Sequence, residues 1–207
     1  MARKRLTREE RKQETRTHLL EAGAEVFAQA GFHGASIDQI ADTAGFTKGA
    51  FYAHFDTKES LFLALFEEKM QAEVGTLDEM MGEEPSLEQF IEIMAAQFES
   101  DWEESKSWDL LKLEFLLYAL RNESIRRPFA DMINNTINRL AKDISPLITE
   151  QVNKKWTAER IVWAVLSLES GMALYQYMAK EDMPSHLFEQ VLRELLNSNE
   201  DSSNETL

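Results

Sequence analysis

The chain of 207 residues is long enough for one large or two small domains with a substantial apolar core. It has no cysteine, which excludes disulfides and thiolate metal sites and is typical of proteins in a reducing cytoplasm. No run of about 18 apolar residues is present, so the sequence predicts no transmembrane helix, and the basic N-terminus lacks the apolar segment of a secretory signal. We therefore expect a cytoplasmic protein.

Positive and negative charges are distributed unevenly along the chain. The net charge is −15, but residues 1–60 are neutral, with nine Lys or Arg and nine Asp or Glu. The first twenty residues carry seven basic and three acidic side chains, and the net negative charge falls in residues 61–207. Because binding to nucleic acid depends on local neutralisation of phosphates, this distribution permits an N-terminal DNA-binding segment.

Both ends of the chain have the composition of disordered segments. Residues 1–6 form a short basic arm, and residues 199–207 form a polar, acidic tail. Between them, Thr7 and Glu10 have the spacing of a capping box, which predicts the start of the first helix. Gly31 is expected to end that helix, since a glycine there can adopt the left-handed backbone of a helix terminus.

Residues 36–55 predict a helix-turn-helix. Ser36 and Gln39 form a second capping box, and apolar residues follow at helical spacing as far as Gly45, where a turn is expected. Thr47 is the predicted N-cap of the next helix. That helix is barely two turns long, so its neighbours must hold it in place.

The second helix of this motif has two different faces. Phe51 and Phe55 are four residues apart and are expected to face inward. Lys48, Gly49 and Tyr52 lie roughly opposite. A short helix anchored by two phenylalanines, with a cation, a glycine and a tyrosine directed outward, is suited to the DNA major groove.

The run GFHGASIDQIADTAGFTKGAFYAHFDTKESLF, residues 31–62, closely resembles the N-terminal domain of TetR-type transcriptional regulators. The resemblance implies that the second helix binds base edges and that residues around it bind phosphates. The expected base contacts are Lys48, Gly49 and Tyr52. The expected phosphate contacts are Ser36, Thr47, His54 and Lys58.

Helix caps and apolar spacing predict further helices after residue 55. A fourth helix, capped by Asp56 with Glu59, runs towards Gly75, and residues 75–85 form the clearest break in the chain. Five more helices are expected to begin near residues 86, 105–107, 125, 157 and 184. The sequence therefore predicts an all-α protein of about nine helices, with a DNA-binding domain over 7–60 and an effector-binding and dimerisation domain over 61–198.

A second resemblance covers residues 110–129, LLKLEFLLYALRNESIRRPF. This run looks like the C-terminal domain of the BetI-like branch of the same family. Ordinary packing between helices produces a similar pattern, so both readings stay open.

The sequence offers no reaction centre. Its four histidines form no metal-ligand pair, and no nucleophile, Walker or dinucleotide-binding motif is found. We therefore expect no enzymatic activity, no metal and no cofactor. The rival hypothesis is an α-helical enzyme or small-molecule carrier with an incidental helix-turn-helix.

Two carboxylates occur within apolar stretches of predicted helices. A buried carboxylate needs a partner, so Glu114 and Glu169 either pair internally, for example with Arg121 or Arg139, or balance the charge of a cationic ligand. Aromatic side chains on the same helices suit the second alternative. The effector pocket expected on that reading is lined by Met94, Phe98, Trp108, Glu114, Phe115, Tyr118, Trp163 and Tyr175.

Residues 161–168, IVWAVLSL, are apolar on almost every side of their helix and must be covered on every side. We therefore expect a homodimer formed by the last two helices, which presents its two DNA-binding domains to a palindromic operator. The interface residues expected are Ile161, Leu168, Gly171, Phe188, Val191 and Leu195. The whole pattern predicts a homodimeric repressor, released by a small-molecule effector whose binding is transmitted through helix 4.

Overall fold

The computed structural model describes residues 7–82, 86–100, 102–150, 152, 156–179, 183–184 and 186–196. The predicted basic arm and acidic tail lie outside these residues. The described residues form nine α-helices, a 3-10 helix over Ser145–Leu147 and no strand, which confirms the predicted all-α fold. The helices are α1 (Arg8–Gly34), α2 (Ile37–Thr43), α3 (Lys48–Tyr52), α4 (Lys58–Met81), α5 (Leu87–Ser100), α6 (Trp102–Arg121), α7 (Glu123–Ile144), α8 (Ala158–Ala179) and α9 (Leu187–Leu196).

Two helix boundaries differ from those predicted. The cap before α4 is formed by Thr57 and Ser60, whose hydroxyls each accept the other's backbone N–H at 3.1 Å. The helix then continues past Gly75 to Met81, and Gly82, with φ +68°, follows its last residue. Gly75 is tolerated because a glycine inside a helix costs only about 1 kcal/mol relative to alanine, and the buried side chains of Val74 and Met81 offset that cost.

Helix α6 also begins earlier than predicted. Its first residue is Trp102, so Ser107 lies inside the helix and is not its N-cap. Serine inside a helix is only slightly less favourable than the best helix formers. Twenty residues of continuous helix therefore connect Trp102 with Arg121.

The chain packs into two compact units. The N-terminal unit contains residues up to 73 together with 107–132, and the C-terminal unit contains 74–106 together with the chain from 133 onwards. Helices α4, α6 and α7 each contribute residues to both units. Helix 4, the predicted route of transmission, is thus one of three helices with residues in both units. The functional division at residue 60 stays a prediction, since packing units need not coincide with functional domains.

Five phenylalanines form the centre of the N-terminal unit. The ring centroids of Phe62 and Phe115 are 4.1 Å apart, and Phe32 packs edge-on to Phe115 at 4.9 Å. Phe27 lies edge-on to Phe62 at 5.3 Å, and Phe129 to Phe115 at the same distance. All five are buried. The core of this unit is therefore shared by α1, α4, α6 and α7.

The C-terminal unit has a separate aliphatic core. Ile137, Ile161 and Leu192 are buried there, and Phe98 of α5 stacks on Phe188 of α9 with centroids 4.6 Å apart. The inner side chains of α9 recur every four residues, at 188, 192 and 196, which places them on one face of the helix. Among the described residues, no helix is long and apolar enough to cross a membrane.

The aromatic core yields a stability prediction. Phe115→Ala should lower the free energy of unfolding by about 3–5 kcal/mol, because it removes a buried ring that contacts four other aromatic rings. Leu117→Ala on the same helix is the matched control. Leu117 is 48% exposed, so its loss should cost less than about 1 kcal/mol. Urea denaturation of both variants measures the difference, and equal losses would contradict the assigned faces of α6.

Candidate nucleic-acid interface

The first helix of the helix-turn-helix is α2, and its cap agrees with the prediction. Ser36 Oγ accepts the backbone N–H of Gln39 at 3.2 Å, and Gln39 Oε1 accepts the N–H of Ser36 at 2.9 Å. Ile40 and Ala41 are buried on the inner side of the helix. The capping box thus fixes the start of α2, and the apolar stripe fixes its rotation about its own axis.

The turn after α2 sets the direction of α3. Gly45 has φ +73°, and its N–H donates to Asp42 O at 3.0 Å. Phe46 N–H donates to Ala41 O at 2.9 Å, and the Phe46 ring stacks on His18 of α1 with centroids 6.1 Å apart. The left-handed glycine and these bonds lead the chain directly into the next helix.

Helix α3 has the two faces that the sequence predicts. Thr47 Oγ accepts the N–H of Ala50 at 3.2 Å, so the predicted N-cap is confirmed. Phe51 and Phe55 are buried, with their ring centroids 5.8 Å apart, while Tyr52 is 49% exposed. Because α3 has only five residues, the two buried rings hold it against the unit and leave its other face open.

Nothing inside the chain requires glycine at position 49. A Cβ placed on Gly49 would meet only Thr47 Oγ1, at 3.7 Å, which is an ordinary van der Waals distance. Its backbone is helical, since it lies within α3. An alanine would therefore fit, so any need for glycine at this exposed position must come from outside the chain.

The outer face also carries an exposed ion pair. Lys48 Nζ lies 3.0 Å from the Asp38 carboxylate of α2, and the hydrogen bond to Asp38 raises the pKa of Lys48. Half or more of each side chain is exposed, so the pair is weak and is screened by salt. An incoming phosphate or base acceptor can therefore replace Asp38 at little cost.

His54 lies near two positively charged side chains of α1, Lys12 and Arg16, which the sequence analysis does not assign to the site. Burial lowers the pKa of His54, and the charges of Lys12 and Arg16 on α1 lower it further. Arg16 is paired with Glu68 at 2.8 Å. Lys12 and Arg16 are four residues apart in the basic first part of α1. This spacing places both side chains on one face of the helix and is the feature of the sequence that indicates the charged surface. A local excess of positive charge near His54 favours an anionic partner such as phosphate.

Lys58 has partners different from the phosphate that the resemblance implies. Its Nζ donates to Phe32 O at 2.7 Å and to Ala35 O at 2.9 Å. Burial lowers the pKa of Lys58. An ammonium group has three donors, so a phosphate contact through the third donor stays a prediction.

The residues predicted for an effector pocket fall into both units. Trp108, Glu114, Phe115 and Tyr118 belong to the N-terminal unit, and Met94, Phe98, Trp163 and Tyr175 to the C-terminal unit. Phe115 is a core residue of the first unit, whereas Trp163 and Tyr175 are 48% and 66% exposed. Glu114 accepts the backbone N–H of Phe32 at 2.8 Å, which favours the internal alternative over the cation site, although its partner is not an arginine. Glu169 is half-buried in α8.

The C-terminal unit contains a small apolar cavity of about 50 Å³. Only Met94 of the predicted pocket lines it. Every lining side chain is apolar: Phe90, Met94, Leu140, Ile144, Ile161, Val162, Val165 and Leu166. No pattern in the sequence indicates this cavity, because the same helical spacing of apolar residues produces a filled core.

The predicted dimer contacts also divide into two groups. Ile161 and Phe188 are buried in the core of the C-terminal unit, so they are not surface residues of a single chain. This corrects their assignment to the interface. The error arose because residues 161–168 are apolar on several sides, and the pattern cannot tell the inner side from the outer. Leu168, Gly171 and Leu195 are half-buried, and Val191 is exposed.

Comparison with known proteins agrees with this architecture. A sequence profile described as "Bacterial regulatory proteins, tetR family" matches residues 19–65, which contain the helix-turn-helix. The transcriptional regulator CymR of Pseudomonas putida is 28% identical over 190 residues, 87% of this chain and 88% of its own length. Residues 19–65 therefore match the tetR family, and the similarity to CymR extends over most of the chain.

Other similarities are more local or structural. The transcriptional repressor AcnR of Corynebacterium diphtheriae is 32% identical over 87 residues, 42% of this chain and 44% of AcnR. Several further relatives match over only 27–41% of their own length. FadR of Bacillus subtilis, solved with stearoyl-CoA, superposes with a TM-score of 0.64 at 18% identity, covering 88% of this chain and 98% of FadR. This chain thus shares its fold with FadR over most of its length.

Gly49 gives a direct test of the outer face of α3. Gly49→Ala should leave the unfolding free energy unchanged or raise it by up to about 1 kcal/mol, since alanine favours helix. Operator affinity should nevertheless fall, because the added methyl group keeps the α3 backbone away from the DNA. Gly75→Ala is the control, since a Cβ there meets nothing within 4 Å. Fluorescence anisotropy with operator DNA measures both, and equal affinity of the two variants would refute the assigned face.

Proposed function

We propose that this chain is a homodimeric transcriptional repressor of the TetR family, which binds a palindromic operator and is released by a small-molecule effector. The observation that carries the proposal is the division of α3 into a buried face and an exposed face. Phe51 anchors the helix, while Lys48, Gly49 and Tyr52 are accessible to a major groove. An exposed tyrosine and a weakly paired lysine can bind base edges and phosphates without disturbing the core.

The exposed side of α8 supports the proposed homodimer. Trp163, Tyr175 and Met178 are 48%, 66% and 74% exposed, although large apolar side chains usually avoid water. Ser167 and Gly171 on the same helix permit close approach of a second helix. Together with Val191 on α9, these residues form the surface that we assign to the partner subunit.

Two copies related by a two-fold axis then present two α3 helices to half-sites about one turn of DNA apart. A regulator that binds such a site works where the chromosome is, which for a bacterial protein is the cytoplasm. The family is one of regulatory proteins, and this favours a non-enzymatic role.

For the effector, we propose a compound that inserts an apolar group into the cavity of the C-terminal unit. The eight lining side chains carry no charge that could neutralise an ionic group, and an unpaired charge in such a site would be strongly unfavourable. The cationic effector suggested by Glu114 and the aromatic residues is therefore the weaker alternative.

The operator proposal is tested by selecting DNA from a genomic pool with the purified protein. The expected result is an inverted repeat, bound by two protomers in sedimentation and weakened by salt, because released counterions contribute to the affinity. Transcription of the adjacent gene should rise when the regulator is deleted. Retention of random DNA only, or binding by a single protomer, would contradict the proposal.

The effector proposal is tested by reducing the cavity. Leu166→Phe should fill it at a cost of about 1–3 kcal/mol in stability, since Leu166 is a half-buried lining residue that can adjust. Apolar compounds that release wild-type protein from the operator should then lose their effect, while operator affinity stays the same. Arg160→Lys, an exposed change on the same helix outside the cavity and the proposed dimer surface, should leave the response intact. A variant that responds normally would rule out this cavity.

A further inference from the structure

We infer that Glu114 of α6 is a positioning residue for the helix-turn-helix, which it holds through the α1–α2 junction, residues 31–35. This inference rests on the proposed function in DNA binding and extends it to α6. The carboxylate Oε2 accepts the backbone N–H of Phe32 at 2.8 Å, across 82 positions of sequence. A charged acceptor makes this a stronger and more directional bond than one between neutral groups.

The junction is shaped to receive this carboxylate. Gly31 has φ +70° and ψ 172°, which interrupts the regular course of α1. A Cβ on Gly31 would lie 2.8 Å from Glu114 Oε2 and 3.0 Å from Oε1, so the carboxylate would have to shift away from its present position. Glycine is therefore favoured at position 31 by its left-handed backbone, and any side chain there would displace the Glu114 carboxylate.

A positive charge holds the other side of the same residue. Lys58 Nζ donates to the carbonyl oxygens of Phe32 and Ala35 and lies 4.6 Å from the centroid of the Phe32 ring. The ring itself is buried between α4 and α6, with Phe62 and Phe115 against it. Phe32 is thus held at its N–H, its carbonyl and its side chain. Helix α6 binds the N–H and packs on one side of the ring, and helix α4 binds the carbonyl and packs on another.

The junction determines where the helix-turn-helix begins. Ala35 accepts from Lys58, and the next residue, Ser36, caps α2. A shift of Phe32 therefore moves the cap of α2 and, through the turn at Gly45, the recognition helix α3. A displacement of α6 at Glu114 therefore reaches α3 through this hydrogen bond, together with the ring contacts of Phe32 with Phe115 and Tyr118. A second contact, from Tyr118 OH to Glu59 at 2.9 Å, links α6 to α4.

The test compares two substitutions that separate the charge of Glu114 from its reach. Glu114→Gln keeps the length and an acceptor oxygen, so operator affinity should stay close to that of the wild type. Glu114→Asp keeps the charge but is shorter by one methylene, so it should lower operator affinity about tenfold or more, the value of a lost hydrogen bond to a charged group. Affinity for random DNA should change little. Glu123→Ala, which removes an exposed carboxylate paired with Arg126 on α7, is the control.

Amide hydrogen exchange of Phe32 in the full chain provides a readout independent of DNA. Exchange should accelerate in Glu114→Asp and not in Glu114→Gln, at temperatures where circular dichroism shows both variants folded. A purely structural role would instead lower the melting temperature and leave the ratio of operator to random-DNA affinity unchanged. That outcome, or equal behaviour of the two variants, overturns the inference.

A double-mutant cycle tests the close approach at Gly31. Gly31→Ala should lower operator affinity in the wild type by a larger factor than in the Glu114→Ala background, where the added Cβ no longer meets the carboxylate. Additive effects overturn the inference. If the wild type binds no operator, the proposed function fails, and the cycle is measured in melting temperature with Phe32 exchange. If the wild type binds and Glu114→Asp binds equally well, only the positioning role fails.

Discussion

The N-terminal unit depends on the burial of Phe32. Its ring completes the aromatic core formed by Phe62 and Phe115, while its backbone is bonded on one side to a carboxylate and on the other to an ammonium group. Neither charge would be stable in an apolar core without such partners. The regular course of α1 is interrupted at Gly31, and Glu114 and Lys58 bond the backbone groups of the residue that follows it. The packing of the Phe32 ring determines the position of this interruption.

The electrostatic character of the DNA face is local. A chain with a net charge of −15 repels DNA at long range, so attraction must come from groups within about a Debye length of the phosphates. We propose Lys12, Arg16 and Lys48 for this role, and two of them are paired with carboxylates, Glu68 and Asp38. An acidic protein with paired cations should bind DNA weakly in general and depend on good shape and base contacts for its affinity.

Local features of the helix-turn-helix could be predicted from the sequence, and contacts between distant segments could not. The caps at Ser36 and Thr47 and the inward faces of Phe51 and Phe55 depend on residues three or four positions apart, and all agree with the structure. Glu114 could be recognised as a carboxylate in need of a partner, but that partner is a backbone N–H, which carries no sequence signal. For the same reason Ile161 and Phe188 were placed at a surface: apolar spacing shows that a face is covered and does not show by what.

The N-terminal unit is formed by two separate segments of the chain, and this limits how a DNA-binding fragment can be cut from it. Residues 107–132 supply Phe115 and Phe129 to its core and Glu114 to its junction. A fragment that stops at residue 73 would retain the whole helix-turn-helix and yet expose Phe32, Phe62 and Phe66 to water. A minimal DNA-binding fragment of this chain must therefore include α6 and the first part of α7, joined to α4 by a designed linker.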